Sequence, residues 1–240
     1  MEQLQKRRLL VLGGVVVLLL AGSAVGLFPV SKARTFQFYG ELVDRVDTDS
    51  KVVALTFDDG PGERTPEVVK TLDELGVRAT FFVVGSELHA RPEFGRQLVA
   101  AGHELGNHSY SHQRMVLVSG DFVAQEVEST DREIRAAGYT GEIHFRPPNG
   151  KKLFSLPSYL ADHGRKTIMW DVEPDSADAP DAKTVAQRTA DEVRPGSIVL
   201  LHIWPSVRQS SWDAVPEIVR SLRAQGYTFV TVSDLLARIG

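Results

Sequence analysis

Two adjacent carboxylates, Asp58 and Asp59, stand between an apolar run, Val52–Leu55, and a Gly60-Pro61 turn. The run is typical of a parallel strand with both faces covered, and the Gly-Pro pair is expected to end it. Chemistry in α/β folds is carried at the C-terminal ends of such strands. One carboxylate there can bind a metal ion while the other faces a water molecule. For this stretch alone, an ordinary Asp-Asp-Gly turn is the alternative.

A second group of candidate ligands is the pair His108 and His112, in the order His-Ser-Tyr-Ser-His. Residues four apart lie on one face of a helical turn, where two imidazoles can share one divalent ion. Taken alone, such a pair is more often a surface or core feature than a metal site. Its position after a short predicted strand, like that of the Asp pair, favours a site of one carboxylate and two imidazoles with room for water and substrate.

An arginine and a third histidine end two further predicted strands. Arg146 precedes a loop stiffened by Pro147 and Pro148, so its guanidinium can hold a carboxylate and keep it ionised. A structural loop with a surface arginine is the alternative. His202 ends an apolar run, Ile198–Leu201, and a lone histidine there is more often structural than catalytic.

The acidic stretch Trp170–Asp175 follows another strand. One of its carboxylates can orient His202 or raise the pKa of that imidazole.

Strand-like and helix-like stretches alternate from Lys51 to the end of the chain. Repeated βα units of this size favour a parallel barrel or an open parallel sheet. About seven parallel strands, with a site drawn from several strand ends, favour an α/β fold with a distorted barrel-like closure. The predicted strands cover residues 52–55, 79–84, 104–105, 143–145, 166–170, 197–201 and 228–232. The predicted helices cover residues 66–75, 92–101, 122–137, 154–163, 182–193, 214–224 and 234–239.

The N-terminus predicts export. Lys6, Arg7 and Arg8 precede an apolar run, Leu9–Leu20, and small residues follow it. This is the layout of a secretory signal, although the apolar stretch is also long enough for an uncleaved membrane anchor. The basic flank places the rest of the chain outside the cytoplasm. A buried core helix is the less favoured alternative.

These features divide the chain into three parts. Residues 1–33 are expected to be a signal peptide or signal anchor, because small residues permit cleavage after Ala24 or Ala33. Residues 34–50 are expected to be a short linker or a hairpin, since two alternating stretches flank Gly40-Glu41. Residues 51–240 form the main domain, without a composition break or a repeat. The protein is therefore expected to be secreted or membrane-anchored, with this domain outside the cytoplasm.

Charge and cysteine content restrict the function. The 240 residues include 27 bases and 31 acids, and residues 1–33 carry four of the bases and one of the acids. The remainder has 23 bases, 30 acids and a net charge of −7, which argues against nucleic acid or another polyanion as a partner and fits a neutral or amphoteric substrate better. The chain has no cysteine, so disulfides, thiolate metal sites and cysteine nucleophiles are excluded.

The motifs TFDDGP, HSYSH, RPPNG, WDVEPD and LLH, in this order, resemble those of the polysaccharide deacetylase family, also called the NodB homology domain or carbohydrate esterase family 4. The resemblance covers about residues 51–240. It implies a distorted (β/α) barrel and removal of N-acetyl groups from N-acetylhexosamine glycans such as peptidoglycan or chitin-like oligomers. It also implies one divalent metal ion, with Zn²⁺ expected and other divalent cations as alternatives. The enzyme is expected to be a monomer that contacts a membrane only through an uncleaved N-terminal segment.

The resemblance also implies roles for individual residues. Asp58 would be the general base, held by Arg146, and His202 would be the general acid, tuned by Asp175. Asp59, His108 and His112 would be the metal ligands. The substrate would meet Pro147, Asn149 and Leu200, with the Asn149 backbone N–H at the oxyanion and Leu200 in the acetyl pocket.

Three positions depart from the family pattern. Many members have an aromatic residue where this chain has Ser176, aspartate where it has Ile203, and tyrosine where it has Asn149. The first departure puts the grip on substrate in doubt, and Trp204 or Trp212 is a candidate replacement. A non-catalytic glycan-binding domain of the same fold is the alternative function, although a degenerate member usually loses one of the motif residues and none is lost here.

Overall fold

The computed structural model describes residues 26–176, 180–204 and 208–238. Residues 26–31 are helical and precede the first strand. None of the helices within the described ranges is long and apolar enough to cross a membrane. The predicted signal or anchor run, Leu9–Leu20, lies outside these ranges, so its role stays a prediction.

Parallel strands form the centre of the fold. The strands in the described ranges are β1 (Leu42–Val43), β2 (Val52–Gly60), β3 (Thr80–Val83), β4 (Glu104–Asn107), β5 (Thr167–Ile168), β6 (Ser197–His202) and β7 (Thr228–Val230). One sheet has the order β4-β3-β2-β6, with β7 beside the first half of β2, and β1 pairs with β5 in a second sheet. Each of these pairings is parallel, as the alternation of strands and helices predicts.

Helices connect most of the strands. They are α1 (Thr65–Glu74), α2 (Gly85–Ala90), α3 (Pro92–Ala100), α4 (Gly120–Ala136), α5 (Ser155–Asp162), α6 (Ala182–Glu192), α7 (Gln209–Ala224) and α8 (Val232–Leu236). The sequence pattern predicts all of them to within three residues at each end, with two exceptions. Helix α7 begins five residues before the predicted start at residue 214, and α2 is a short helix with no predicted counterpart. Proline stands within the first two positions of α1 and α3, where its missing N–H costs no intrahelical bond.

The two faces of β2 enter different hydrophobic clusters. Val53, Leu55 and Phe57 pack in the larger cluster with the helices, while Val52 and Ala54 belong to a smaller cluster on the opposite face. Side chains alternate along a strand, so Thr56 and Asp58 share the face of this smaller cluster. The apolar core therefore continues directly into the polar site at the C-terminal end of β2.

The second sheet corrects two predictions. The predicted hairpin within residues 34–50 is absent from the described structure, because β1 pairs in parallel with the distant strand β5. The predicted strand at residues 143–145 is reduced to Phe145, which forms single parallel bridges to Asn107 and to Thr167. Arg45 adds a single antiparallel bridge to Ser197 at the start of β6. The described strands are therefore two sheets linked by single bridges, and closure into a barrel stays a prediction.

Candidate active site

The end of β2 separates its two carboxylates, as the sequence predicts. The pairing of β2 with β3 shifts register between Asp58 and Gly60, and Asp59 between them has a φ of 73°. Such an irregularity re-aims a side chain at a strand end. Asp58 stays on the face of β2 that carries the smaller hydrophobic cluster and is 2% exposed. Asp59 instead turns toward the loop of His108 and His112.

Arg146 is fixed in the interior beside Asp58. Its Nη1 donates hydrogen bonds to Asp58 Oδ1 at 2.7 Å and to Thr56 Oγ1 at 2.8 Å. Its Nη2 donates to the Met169 carbonyl at 3.0 Å, and its guanidinium lies 4.0 Å from the centre of the Phe82 ring. Burial lowers the pKa of Arg146, and the charge of Asp58 opposes that effect. The guanidinium thus holds one oxygen of Asp58 and leaves the other directed at the site.

Three possible metal ligands converge beside Asp58. Ligand atoms of Asp59, His108 and His112 all lie within 4.8 Å of one another. His112 Nε2 is 3.0 Å and His108 Nε2 is 3.5 Å from Asp59 Oδ1, and His108 Nε2 is also 3.6 Å from Asp58 Oδ2. Burial raises the pKa of Asp59, but the two adjacent imidazoles lower it more strongly, so the carboxyl is ionised. One carboxylate and two imidazoles suit a zinc-type site with open positions.

The hydrogen bonds around these ligands fit a bound cation. His108 Nδ1 lies 2.8 Å from the Arg146 carbonyl oxygen, and because a carbonyl only accepts, we assign the proton to Nδ1. The lone pair of His108 Nε2 is then free for a metal, an arrangement common for metal-binding histidines. Asp59 Oδ1 is buried, and although both imidazoles lie near it, neither makes a hydrogen bond of good geometry with it. A buried carboxylate oxygen without a well-aligned donor is costly, and a divalent cation would satisfy it.

The loop that carries the two histidines is not the helical turn that their spacing predicts. Residues 108–112 have no helical assignment, and both Ser109 and His112 have positive φ values. The carboxylate of Glu126 on α4 accepts hydrogen bonds from the backbone N–H groups of Tyr110 and Ser111 at 2.9 and 2.8 Å, and from the Ser111 hydroxyl at 2.8 Å. The histidines therefore converge because this buried carboxylate shapes the loop, and sequence spacing gave no signal for it.

His202 ends β6 on the same side of the site and pairs with Asp175. Asp175 Oδ2 accepts hydrogen bonds from the His202 backbone N–H at 2.8 Å and from the Ser211 hydroxyl at 2.9 Å, and Asp175 Oδ1 is 3.4 Å from His202 Nδ1. Burial lowers the pKa of His202, but Asp175 and the carboxylates of Asp58 and Asp59 outweigh it and raise the value to about 9. His202 is thus positively charged at neutral pH and can donate a proton.

The other acids of the stretch Trp170–Asp175 have separate contacts. Asp171 accepts hydrogen bonds from Ser197 Oγ and from the Ile198 N–H at the beginning of β6. Glu173 Oε2 lies 2.5 Å from Arg34 Nη2 and accepts a hydrogen bond from Trp170 Nε1 at 2.9 Å. Asp175 is therefore the acid of this stretch that contacts His202, a choice that the sequence motif alone left to the resemblance.

These groups line one cavity of about 370 Å³. Its lining includes Asp58, Asp59, His108, His112, Asn149, Leu200 and His202. Pro147 is buried and is not among the lining residues, so the structure does not place it against a substrate. Asn149 has a φ of 53°, and no acceptor for its backbone N–H is found within the described residues. Leu200 supplies an apolar wall.

The departures from the family pattern fall in different places. Ser176 lines the cavity, and Ile203 is fully buried in the main core. Trp204 packs against Gly60, where a Cβ would approach its ring to within 2.3 Å, and Trp212 is buried with its Nε1 donating to Glu67. Neither tryptophan lines the cavity, so neither replaces an aromatic groove wall.

The sequence motifs gave no signal for the positive residues around the cavity. Lys32, Arg34, Lys151 and Arg208 all contribute to its lining. Lys32 and Arg34 belong to the segment that precedes β1, where the sequence predicts a signal segment followed by a linker or hairpin. Lys152 fixes this segment, since its backbone N–H donates to the Ser31 carbonyl and its buried Nζ donates to the Ala33 carbonyl. The segment is therefore one wall of the site.

Comparison with known proteins supports the same assignment. The sequence model of the family described as polysaccharide deacetylase matches residues 45–168. The chain is 34% identical over 194 residues to a peptidoglycan-N-acetylmuramic acid deacetylase of Bacillus subtilis, covering 80% of this chain and 40% of that protein. It is 37% identical over 166 residues to a chitooligosaccharide deacetylase of Sinorhizobium fredii, covering 68% of this chain and 77% of the relative.

Solved structures give the same result. A peptidoglycan N-acetylglucosamine deacetylase matches with a TM-score of 0.75 and 30% identity, over 80% of this chain and 91% of that chain. A pseudoenzyme of carbohydrate esterase family 4 from Bacillus anthracis matches with a TM-score of 0.73 and 30% identity, over 83% and 69% of the two chains. The family match and the shared α/β fold agree with the motifs around the cavity. The chain belongs to the polysaccharide deacetylase family.

Proposed function

We propose that this protein is a metal-dependent hydrolase that removes N-acetyl groups from an N-acetylhexosamine-containing polysaccharide and releases acetate. The observation that carries the proposal is the meeting of three units at one cavity. These units are the Asp58–Arg146 pair, the ligand set Asp59, His108 and His112, and the His202–Asp175 pair. The printed names of its relatives, which act on peptidoglycan and chitooligosaccharides, support a glycan substrate.

The proposed metal ligands are Asp59, His108 and His112. A divalent cation held there, with Zn²⁺ as the expected ion, would polarise the amide carbonyl and lower the pKa of a water molecule. The protein contributes the orientation of the ligands, since Arg146 fixes His108 through its carbonyl oxygen and Glu126 fixes the loop of His112.

Asp58 is the proposed general base. Its Oδ1 is held by Arg146, while Oδ2 lies 3.6 Å from His108 Nε2 at the ligand set. The carboxylate is positioned to take a proton from a water molecule that attacks the acetyl carbon. The backbone N–H of Asn149 is the proposed donor to the oxygen that becomes negative in the tetrahedral state.

His202 is the proposed general acid. Asp175 keeps the imidazole protonated and oriented, so His202 can give its proton to the nitrogen as the carbon–nitrogen bond breaks. The products are acetate and the free amine. Water loses one proton to Asp58, and His202 gives one proton to the leaving nitrogen, so bond cleavage first yields acetic acid and the amine. The acid proton and the proton on Asp58 then pass to His202 and to the amine, which gives acetate and restores both side chains.

Location and assembly follow from the same proposal. We place the domain outside the cytoplasm, where cell-wall glycans lie, and propose that residues 1–33 target or anchor it. We also propose that the strands close into a distorted barrel and that the protein is a monomer. A non-catalytic glycan-binding domain is the second candidate function. The observation that favours it is a pseudoenzyme of the same family among the structural neighbours.

Acetate release by the full-length chain tests the proposal. N-acetylglucosamine oligomers and peptidoglycan are incubated with protein that has been stripped of metal, with and without added zinc. Zinc-dependent release of acetate is the expected result. Glycan binding by folded, zinc-loaded protein without any acetate release would instead support the binding domain.

A further inference from the structure

A cluster of positive charge stands at the mouth of the cavity. Lys32 and Lys151 both line it, and their ammonium groups lie 5.0 and 4.7 Å from the centre of the same Phe28 ring. Arg114 approaches from the next loop, where its Nε donates a hydrogen bond to Asn149 Oδ1 at 3.0 Å. Three cations from three separate stretches of chain therefore meet beside the Asn149 loop.

The other cations that line this cavity have acceptors in the protein. Arg34 pairs with the Glu173 carboxylate, and Arg208 donates a hydrogen bond to the Asp175 carbonyl oxygen at 2.5 Å. Within residues 26–176, 180–204 and 208–238, neither Lys32 nor Lys151 has a carboxylate at ion-pair distance. Arg114 contacts only the neutral amide oxygen of Asn149 among its hydrogen-bond acceptors there. The mouth of the cavity thus carries positive charge that no carboxylate in the described part of the chain pairs with.

Lys32 and Arg114 lie close enough to Lys151 to affect its charge. Burial lowers the pKa of Lys151, and the positive charges of Lys32 and Arg114 lower it further. Like charges gathered at one place repel, and an anion between them would remove the repulsion. The whole chain carries a formal net charge of −4, so general basicity does not account for this local excess.

We propose that Lys32 and Lys151, with Arg114 behind them, form a subsite for a carboxylate on the glycan, so the preferred substrate is an acidic N-acetylated polysaccharide. The inference rests on the proposed function and names its substrate class. The subsite belongs to the substrate because the two lysines line the same cavity as Asp58 and His202. Lysine provides a flexible point charge, which recognises an anion without demanding one fixed geometry.

Paired substrates test the subsite with the full-length chain in mild detergent. One is a peptide-free oligosaccharide of alternating N-acetylglucosamine and N-acetylmuramic acid, whose lactyl groups carry carboxylates. The other is the same oligosaccharide with those carboxylates converted to neutral methyl amides. A third, peptide-bearing glycan separates recognition of a sugar carboxylate from recognition of a peptide carboxylate. Acetate release gives kcat and KM for each, and calorimetry with Asp58→Asn measures binding without turnover.

The lysine variants have defined expectations. Lys32→Gln and Lys151→Gln should each raise KM for the acidic glycan about tenfold, the typical effect of losing a charged hydrogen bond. They should leave kcat and the KM for the neutral glycan unchanged. Lys151→Arg keeps the charge and should restore most of the affinity. Lys70→Ala, on the exposed face of α1 and 76% exposed, is the matched control and should change nothing.

Equal effects of the two lysine variants on the acidic and the neutral glycan would overturn the subsite. So would unchanged KM values together with lost binding to vesicles containing anionic lipid, which would assign the cations to a membrane surface. Failure of the proposed function looks different, because the Asp58→Asn protein would still bind the acidic glycan more tightly than the neutral one while wild type released no acetate from either. If the Asp58→Asn protein bound the acidic and the neutral glycan equally, the subsite would be refuted whether or not wild type releases acetate.

Discussion

Arg146 Nη1 lies 2.7 Å from Asp58 Oδ1, and both side chains are almost completely buried. The backbone carbonyl oxygen of the same arginine accepts a hydrogen bond from His108 Nδ1. One residue thus orients the proposed base through its side chain and a proposed metal ligand through its backbone. This coupling ties the position of the proposed base to the position of a proposed metal ligand.

Removal of the arginine should destabilise the fold. Arg146→Met leaves the Asp58 carboxylate buried without its cation, and breaking a buried ion pair typically costs about 3–5 kcal/mol. Urea denaturation of the variant and the wild type measures the change in the free energy of unfolding. The double variant Asp58→Asn/Arg146→Met should recover part of the loss, because no unpaired charge remains. A double variant as unstable as the two single losses added together would contradict the coupling.

Glu126 should control metal affinity without being a ligand. Its carboxylate holds the backbone of the loop at Tyr110 and Ser111, so Glu126→Ala should weaken zinc binding about 10–100-fold, as loss of an outer-shell partner does. Calorimetric zinc titration of metal-free protein checks the value, and Glu126→Gln should lie between the two. The control is Glu128→Ala, which should leave the zinc affinity unchanged. Glu128 lies two residues after Glu126 on α4 and accepts a hydrogen bond from the Tyr159 hydroxyl.

The His202–Asp175 pair should set the alkaline limit of the reaction. Burial lowers the pKa of His202, but the hydrogen bond and charge of Asp175, together with the charges of Asp58 and Asp59, raise it to about 9. In metal-free Asp175→Asn protein, the pKa of His202 should fall toward its ordinary value of 6.5, as measured by NMR titration of the histidine. The alkaline limb of kcat should move to lower pH in the zinc-loaded variant, because the imidazole loses its proton earlier. An unmoved limb would contradict the role of His202 as acid.

The sign of the linked stability follows from the same pair. A histidine whose pKa is higher in the folded state than in the unfolded state contributes its full stabilisation below the unfolded value of 6.5. That contribution is lost as the pH rises through about 9. In metal-free protein, wild type should therefore lose more stability between pH 6.5 and 9 than His202→Gln. Equal losses in urea denaturation across this pH range would refute the linkage.

The segment before β1 should be needed for stability. Lys152 is 1% exposed, and its ammonium donates to the Ala33 carbonyl at 2.5 Å. A chain that begins at Arg34 lacks this acceptor, so it should be less stable than a chain that begins at Gly26. A lost buried hydrogen bond of a charged group costs about 2 kcal/mol, which lowers Tm by about 4–8 °C at this size.

A matched substitution separates this contact from general fraying of the truncated chain. Lys152→Met in the chain that begins at Arg34 should restore part of the Tm, because no ammonium remains buried without an acceptor. Equal Tm values for the two starting points would show that the segment contributes nothing. If the contact holds, cleavage after Ala33 would remove part of the folded domain, which favours Ala24 or an intact anchor.

The sequence predicts the strand-end residues well because each follows an apolar run of recognisable length. Asp58, Asp59 and His202 are examples, and β2 and β6 place them where expected. Arg146 is found through its proline-rich loop, although its strand shrinks to the single bridging residue Phe145. Local pattern was sufficient at these positions.

The remainder depends on contacts between distant residues. The spacing of His108 and His112 suggests a helix, but Glu126 imposes a loop from another element. Leu42–Val43 looks like half of a hairpin, yet its partner is β5, more than a hundred residues later. Lys32 and Lys151 carry no motif, and only the docked N-terminal segment brings them to the cavity. Short-range sequence patterns do not contain such long-range pairings.

Asp58 as base and Asp59 as metal ligand have separate roles that one paired experiment distinguishes. Zinc content and acetate release from N-acetylated glycan are measured on the same preparations of wild type, Asp58→Asn and Asp59→Asn. Asp58→Asn should retain one zinc ion and lose at least about a hundredfold in kcat, while Asp59→Asn should lose the zinc itself. Near-wild-type turnover by Asp58→Asn, or full zinc retention by Asp59→Asn, would show that the two carboxylates do not divide the roles in this way.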